Sequence, residues 1–148
     1  MNLSKDTTRC IWLSGTLHDI GKLCIPAEIL SKPGDLTEPE LAMIKAHPGA
    51  GYDILKGIEF HWPVAEIVHQ HHERLDGTGY PNGLKGEEIL LEARILAVAD
   101  VFEAMSFHRP YRPAIGRIDS PPDDSVASPP SVVISVIFTT DIVYRLFG

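Results

Sequence analysis

Thiols are scarce in this chain. Cys10 and Cys24 are its two cysteines, too few for a disulfide framework. Nothing resembles a secretory leader, so the expected compartment is the reducing cytoplasm. Basic excess is missing as well. A net charge of −7 argues against a general nucleic-acid binder, which carries a basic stripe. It leaves room for a small anionic ligand, because bound divalent cations invert the local field. No apolar run approaches the roughly 20 residues that span a bilayer. The nearest, 132–138, soon gives way to Thr139, Thr140 and Asp141. Before residue 113 there is no strand alternation, and no internal repeat is present. The 148 residues, 44% hydrophobic and 22% charged, suit one soluble domain with a real core.

What the sequence does have is helix punctuation. Ile11, Trp12, Leu17 and Ile20 give residues 7–20 one apolar side, with Gly21 as a stop. Pro26 opens a short helical turn through Leu30, and residues 32–35 read as a loop. Thr37-Glu38-Pro39-Glu40 is a capping box with Pro in the first turn, predicting a helix to about Ala46. Pro48 sits in the first turn of another helix, which carries Ile54 and Leu55 and ends near Gly57. A further helix from about Pro63 points Val64, Ile67 and Val68 inward and delivers His71 and His72 at its end. Four glycines and Pro81 make residues 77–86 a loop, and residues 89–106 read as a largely buried helix. The expected fold class is all-α. From residue 119 the chain turns Pro/Ser-rich and then β-branched, a composition that predicts weak order over 114–148.

Several polar residues stand out against this frame. Adjacent His18 and Asp19 fall near the end of the first predicted helix. His47 opens another helix, and His71 and His72 end a third. Asp100 lies inside the apolar run 96–102, where a carboxylate needs a partner. That partner is either an Arg or a divalent cation held jointly with the histidines. Imidazole and carboxylate donors without thiolate suit Fe, Mn, Co, Ni or Zn rather than a structural Cys-zinc site. Six donors exceed the needs of one tetrahedral ion and favour two, with Asp19 bridging through its two oxygens. Such a pair activates water and clamps both oxygens of a displacement at phosphorus. Lys22 shares the face of His18 and Asp19 if the helix continues, and there it either neutralises a phosphate or is simply solvated. Arg109 and Arg112 either form a phosphate-binding fork or pair with Glu92 and Glu103. His61, His69 and His108 read as bystanders.

In this order the residues resemble the HD-GYP family, a branch of the HD-domain metal phosphohydrolases. The segments that carry the resemblance are Leu-His-Asp-Ile-Gly-Lys (17–22), Ile-Pro-x-x-Ile-Leu (25–30), Lys-Pro-Gly-x-Leu-Thr (32–37) and His-Pro-x-x-Gly (47–51). They continue with His-His-Glu-Arg-x-Asp-Gly-x-Gly-Tyr-Pro-x-Gly-Leu (71–84), Ala-Arg-Ile-Leu-Ala-Val-Ala-Asp-Val-Phe (93–102) and Arg-Pro-Tyr-Arg (109–112). The resemblance implies an HD-domain-like helical bundle with a metal site between helices. It implies His18, Asp19, His47, His71, His72 and Asp100 as ligands of two divalent ions, Fe, Mn or a similar transition metal. Lys22 and Asp19 would serve catalysis, and Tyr80, Arg109 and Arg112 would contact substrate. The implied reaction is hydrolysis of cyclic di-GMP to the linear dinucleotide, and in some members onward to GMP, in bacterial second-messenger signalling. The implied partners are diguanylate-cyclase (GGDEF) domains, through the loop at Gly79, Tyr80 and Pro81. The family pattern adds an upstream helix with a further His, whereas no His or Glu precedes His18. The expectation is therefore a domain over 1–113, truncated at its start relative to the family, followed by an atypical tail over 114–148. A non-catalytic remnant that binds a cyclic dinucleotide or a protein, and a phosphohydrolase of another nucleotide, are the alternatives.

Overall fold

Ser4 starts the first helix, its hydroxyl accepting the Thr7 N–H at 3.0 Å. Helix α1 runs over Lys5–Leu17, two residues earlier at its start than its apolar pattern predicts. The computed structural model describes residues 3–106. Arg109, Arg112, His108 and the expected tail over 114–148 lie outside the described residues.

After α1 comes a 3-10 segment at Ile20–Cys24 and a short α2 at Ala27–Leu30. The next helix, α3 at Glu38–Lys45, begins as its capping sequence dictates. The Glu40 carboxylate accepts both the Thr37 N–H at 2.7 Å and the Thr37 hydroxyl at 2.8 Å. Helices α4 at His47–Leu55 and α5 at Val64–Gln70 follow, then a loop with a 3-10 turn at Gly86–Glu88, then α6 at Leu91–Ser106. Among the described residues no strand occurs, apart from an isolated bridge between Asp76 and Lys85. The fold is all-α.

Helix α5 is the axis. Val64, Ile67 and Val68 are fully buried, and they reach two neighbouring clusters. Ile67 packs with Cys10 of α1, with Ile89 just before α6, and with Ala93 and Leu96 of α6. Val64 and Val68 pack with Leu55 of α4, backed by Leu13, Leu17 and Ile20. Full burial of a side chain such as Ile67 contributes about 1.5–3 kcal/mol. Because α5 is gripped from both sides, the residues that follow it inherit fixed positions.

Three expectations are corrected. Trp12 does not belong to the buried side of α1; it is 43% exposed, while Ile11 beside it is fully buried. Helix α6 is not largely buried. Ala93, Leu96, Ala99 and Glu103 face inward, but Val98 is 71% exposed and Leu91, Val101 and Phe102 are exposed too. Apolar residues on both sides of this helix left no polar stripe to mark which side faces in. Finally, Gly21 does not stop α1, which ends four residues earlier. A Cβ on Gly21 would lie 1.9 Å from the His47 carbonyl oxygen and 2.6 Å from the Gly51 nitrogen. The glycine is there because the 3-10 segment meets the backbone of α4.

Candidate metal centre

An α-helix leaves the carbonyls of its last turn without intrahelical partners. Three histidines use them. His18, just past α1, places Nδ1 2.7 Å from the Gly15 carbonyl. His47, two residues past α3, places Nδ1 2.7 Å from that of Ile44. His71, just past α5, places Nδ1 2.6 Å from that of Val68. A carbonyl oxygen only accepts, so each Nδ1 carries the proton and donates it. In a neutral ring the lone pair then sits on Nε2, and a fixed tautomer of this kind is what metal-ligating histidines need.

The Nε2 atoms converge. Those of His47 and His71 lie 3.3 Å apart. With both protons on Nδ1, this is a contact between two lone pairs, which a cation would relieve. Nε2 of His18 is buried and has no hydrogen-bond partner among the described residues. Asp19 is 3% exposed. Its Oδ2 lies 3.4 Å from His18 Nε2, and its Oδ1 lies 3.4 Å from His47 Nε2. Asp100 stands on the inner side of α6, with Oδ1 3.9 Å from His18 Nε2 and Oδ2 4.0 Å from His72 Nδ1. The donors fall into two overlapping groups, His47 with His71 and His72, and His18 with Asp19 and His71. Within each group the ligand atoms lie within 4.8 Å of one another. Orphaned lone pairs, fixed tautomers and two carboxylates fit a divalent transition metal.

Charge in the centre is set by burial. Burial pushes the imidazoles of His47 and His71 below their ordinary range, His71 strongly, with neighbouring imidazoles adding to the effect on His71. His72 is lowered to about 3, by burial first and by His47 second. These rings are therefore neutral at pH 7 and available as ligands. Asp19 behaves oppositely. Burial raises it, but His18 and Lys22 together outweigh burial and hold the carboxyl well below its usual range. The Lys22 ammonium donates to Asp19 Oδ2 at 2.5 Å. The sharing of a face expected from a continuing helix comes instead from the 3-10 segment, where three residues make one turn.

All six expected ligand candidates are thus brought to one place, and Tyr80 reaches its rim. The Tyr80 ring stacks on His72 with centroids 4.8 Å apart. Burial first, and the carboxylates of Asp100 and Asp19 second, push its hydroxyl up to about 12. His69 stacks on Tyr52 and His61 is exposed; neither belongs to the two donor groups.

Two residues escaped the sequence reading. Glu73 is buried, and its carboxylate accepts the Asn82 N–H at 2.7 Å and the Leu84 N–H at 3.0 Å. It ties the Gly-Tyr-Pro loop back to the end of α5. A carboxylate just before a glycine-rich loop full of free N–H groups was the signal. Lys45, two residues before His47, lies with its ammonium 5.6 Å from the Tyr80 centroid, and no sequence pattern singled it out.

The chain matches the HD domain family over residues 1–120. It belongs to that family, on the HD-GYP branch. It is 51% identical over 116 residues to the cyclic di-GMP phosphodiesterase response regulator RpfG of Xanthomonas campestris pv. campestris, covering 77% of this chain and 31% of that protein. It is 46% identical over 112 residues to the 3'3'-cGAMP-specific phosphodiesterase 1 of Vibrio cholerae, covering 76% of this chain and 26% of that protein. A cyclic di-GMP phosphodiesterase of Thermotoga maritima is 46% identical over 116 residues, which cover 76% of this chain and 31% of the relative. The HD-GYP chain therefore spans about a third or less of these curated relatives. No helix among its described residues is long and apolar enough to cross a membrane.

Proposed function

We propose that this HD-GYP chain carries the catalytic centre of a phosphodiesterase that hydrolyses cyclic di-GMP to the linear dinucleotide. The observation that carries the reading is the buried convergence of three Nδ1-anchored histidines around Asp19, with Asp100 beside His18 and His72. The names of the relatives supply the substrate class.

His18, Asp19, His47, His71, His72 and Asp100 are the proposed ligands. Asp19 turns one oxygen toward His18 and the other toward His47, which favours two ions, Fe, Mn or similar, over one. Divalent cations bound there would supply an activated water and neutralise charge on the phosphodiester. The chain's residues do the rest. Asp19 stays ionised through the range in which the reaction runs. Lys22 holds one Asp19 oxygen and stands ready to meet a non-bridging phosphate oxygen. Tyr80 offers a neutral hydroxyl and an aromatic face at the rim, and Glu73 holds the loop that carries it. The family resemblance adds Arg109 and Arg112 as phosphate contacts and a GGDEF domain as partner of the Gly-Tyr-Pro loop. Both thiols are free, which suits action in the cytoplasm.

The test is turnover of cyclic di-GMP by the purified chain loaded with Mn or Fe under reducing conditions, alongside metal analysis. His72→Ala and Asp100→Ala are expected to abolish turnover. Stoichiometric metal with no turnover would sink the enzyme reading and leave a binding module. The similarity to 3'3'-cGAMP-specific enzymes favours a second substrate, so 3'3'-cGAMP belongs in the same assay.

A further inference from the structure

Lys45 is the last residue of α3. Its side chain is exposed, and its ammonium sits 5.6 Å from the centroid of the Tyr80 ring, which in turn stacks on His72 at 4.8 Å. Two ring contacts therefore link this ammonium to the metal centre. Among the described residues no carboxylate lies within ion-pair distance of Lys45, whereas Lys22 is already bonded to Asp19. An ammonium has three N–H donors, and an aromatic face satisfies charge without accepting a strong hydrogen bond. Lys45 is thus a cation held at the mouth of the site with its donors available.

The charge around it explains what such a cation would take. Asp19 and Asp100 bring negative charge into the centre, and the whole chain carries −7. A cyclic dinucleotide has two phosphodiesters in one macrocycle. The one being cleaved meets the cations of the centre. The other keeps its full charge in a negative field and needs cations of its own, a need that Arg109 and Arg112, proposed above as phosphate contacts, would share with Lys45. We propose that Lys45, steadied on Tyr80, binds the second, non-reacting phosphate of a cyclic dinucleotide and so selects substrates with two phosphates over simple diesters. This rests on the phosphodiesterase reading given above. The contact does not change as the distant bond breaks, so it acts as uniform binding and changes KM rather than kcat.

The experiment compares the full chain with Lys45→Gln and Lys45→Arg, all loaded with Mn, on cyclic di-GMP and on bis(p-nitrophenyl) phosphate, a diester with one phosphate. For Lys45→Gln the expected result is a rise in KM for cyclic di-GMP of about tenfold at low salt, as for loss of one charge-assisted contact. Its kcat should stay within about twofold. The difference should shrink as salt screens the charge, and Lys45→Arg should recover most of it. Metal content and kcat/KM on the single-phosphate diester should not change. An unchanged KM for cyclic di-GMP overturns the proposal. So do equal losses on both diesters, which would make Lys45 a prop for Tyr80. If the unaltered chain turns over neither diester, the phosphodiesterase reading falls, and Lys45 is judged by equilibrium binding of cyclic di-GMP. Weaker binding by Lys45→Gln sustains it; equal binding, or none by the unaltered chain, overturns it.

Discussion

Gly21→Ala should damage the metal centre without touching a ligand. The added Cβ would stand 1.9 Å from the His47 carbonyl oxygen and 2.6 Å from the Gly51 nitrogen, where ordinary contact begins near 3.4 Å. Both obstacles are backbone, so no rotamer change relieves them, and α4 must move off the 3-10 segment by about 1 Å or more. Overpacking of this kind typically costs about 1–3 kcal/mol, and rigid obstacles put this case at the upper end. The move carries His47 with α4, away from Asp19 at 3.4 Å and His71 at 3.3 Å. Metal sites tolerate displacements of roughly 0.5 Å, so metal affinity should fall about 10–100-fold, the range seen when ligand support is lost. The assay pairs urea unfolding of the metal-free chain with competition titration of the metal. Gly49→Ala is the control. It lies on α4 with nothing within 4 Å of the added Cβ, and alanine favours a helix over glycine by up to about 1 kcal/mol. It should leave metal affinity alone and hold or raise stability. Wild-type stability and metal affinity in Gly21→Ala would refute the close-approach argument.

Further outcomes follow from the same geometry. Glu73→Ala leaves the Asn82 and Leu84 N–H groups without their buried acceptor, at about 1–3 kcal/mol each. Amide exchange in residues 77–86 should speed up, and turnover should fall while metal content holds; Glu73→Gln, keeping one acceptor, should show the smaller effect. Lys22→Ala frees the Asp19 oxygen it holds, so metal binding should match or exceed wild type while turnover drops at least tenfold; parallel losses of both would contradict the role given to Lys22. The metal-free chain should lose stability as pH falls. The folded-state pKa values of His47, His71 and His72 lie below the unfolded value of 6.5. The unfolded chain thus binds more protons in that window, and stability is complete only above it. All three histidines contribute to the decline, and for His72 it should approach about 1.4 kcal/mol per pH unit below 6.5, continuing to about 3. Asp19, with its pKa lowered, adds loss only below its ordinary 3.8. A flat profile between pH 6.5 and 5 in urea titrations would contradict the burial argument.

Local chemistry is what made the sequence legible. The Thr37–Glu40 box, Pro26 and Pro48 mark helix starts wherever they stand, and the structure has helices there. The inward set Val64, Ile67 and Val68 followed from a periodic pattern with polar residues between. Where apolar residues lie on both sides of a helix, as with Val98 and Phe102 of α6, periodicity says little about direction. The ligand candidates were visible because imidazoles and carboxylates are rare next to core residues. Gly21 was noticed for the wrong reason, since a close approach between segments some 26 residues apart leaves no trace in its neighbourhood. Lys45 was hidden for the same cause, and Glu73, though it stands just before a glycine-rich loop, showed nothing of which amides it would hold. Their partners, the Asn82 and Leu84 amides and the Tyr80 ring, come from a loop whose path is fixed by tertiary contacts.

The three histidines that lean on the last turn of a helix divide the assembly of the site into two kinds of information. The direction of each imidazole is written within four consecutive residues, from Gly15 to His18, Ile44 to His47 and Val68 to His71. The separation between imidazoles is written in the packing of α4 and α5 and in the 3-10 segment. Opening of the domain should therefore cost distances before directions. Each ring would keep its proton on the same nitrogen, so a centre that opened and released an ion should reclose ready to bind. Recapture should then run at the speed of helix docking, with no waiting for protons to be sorted.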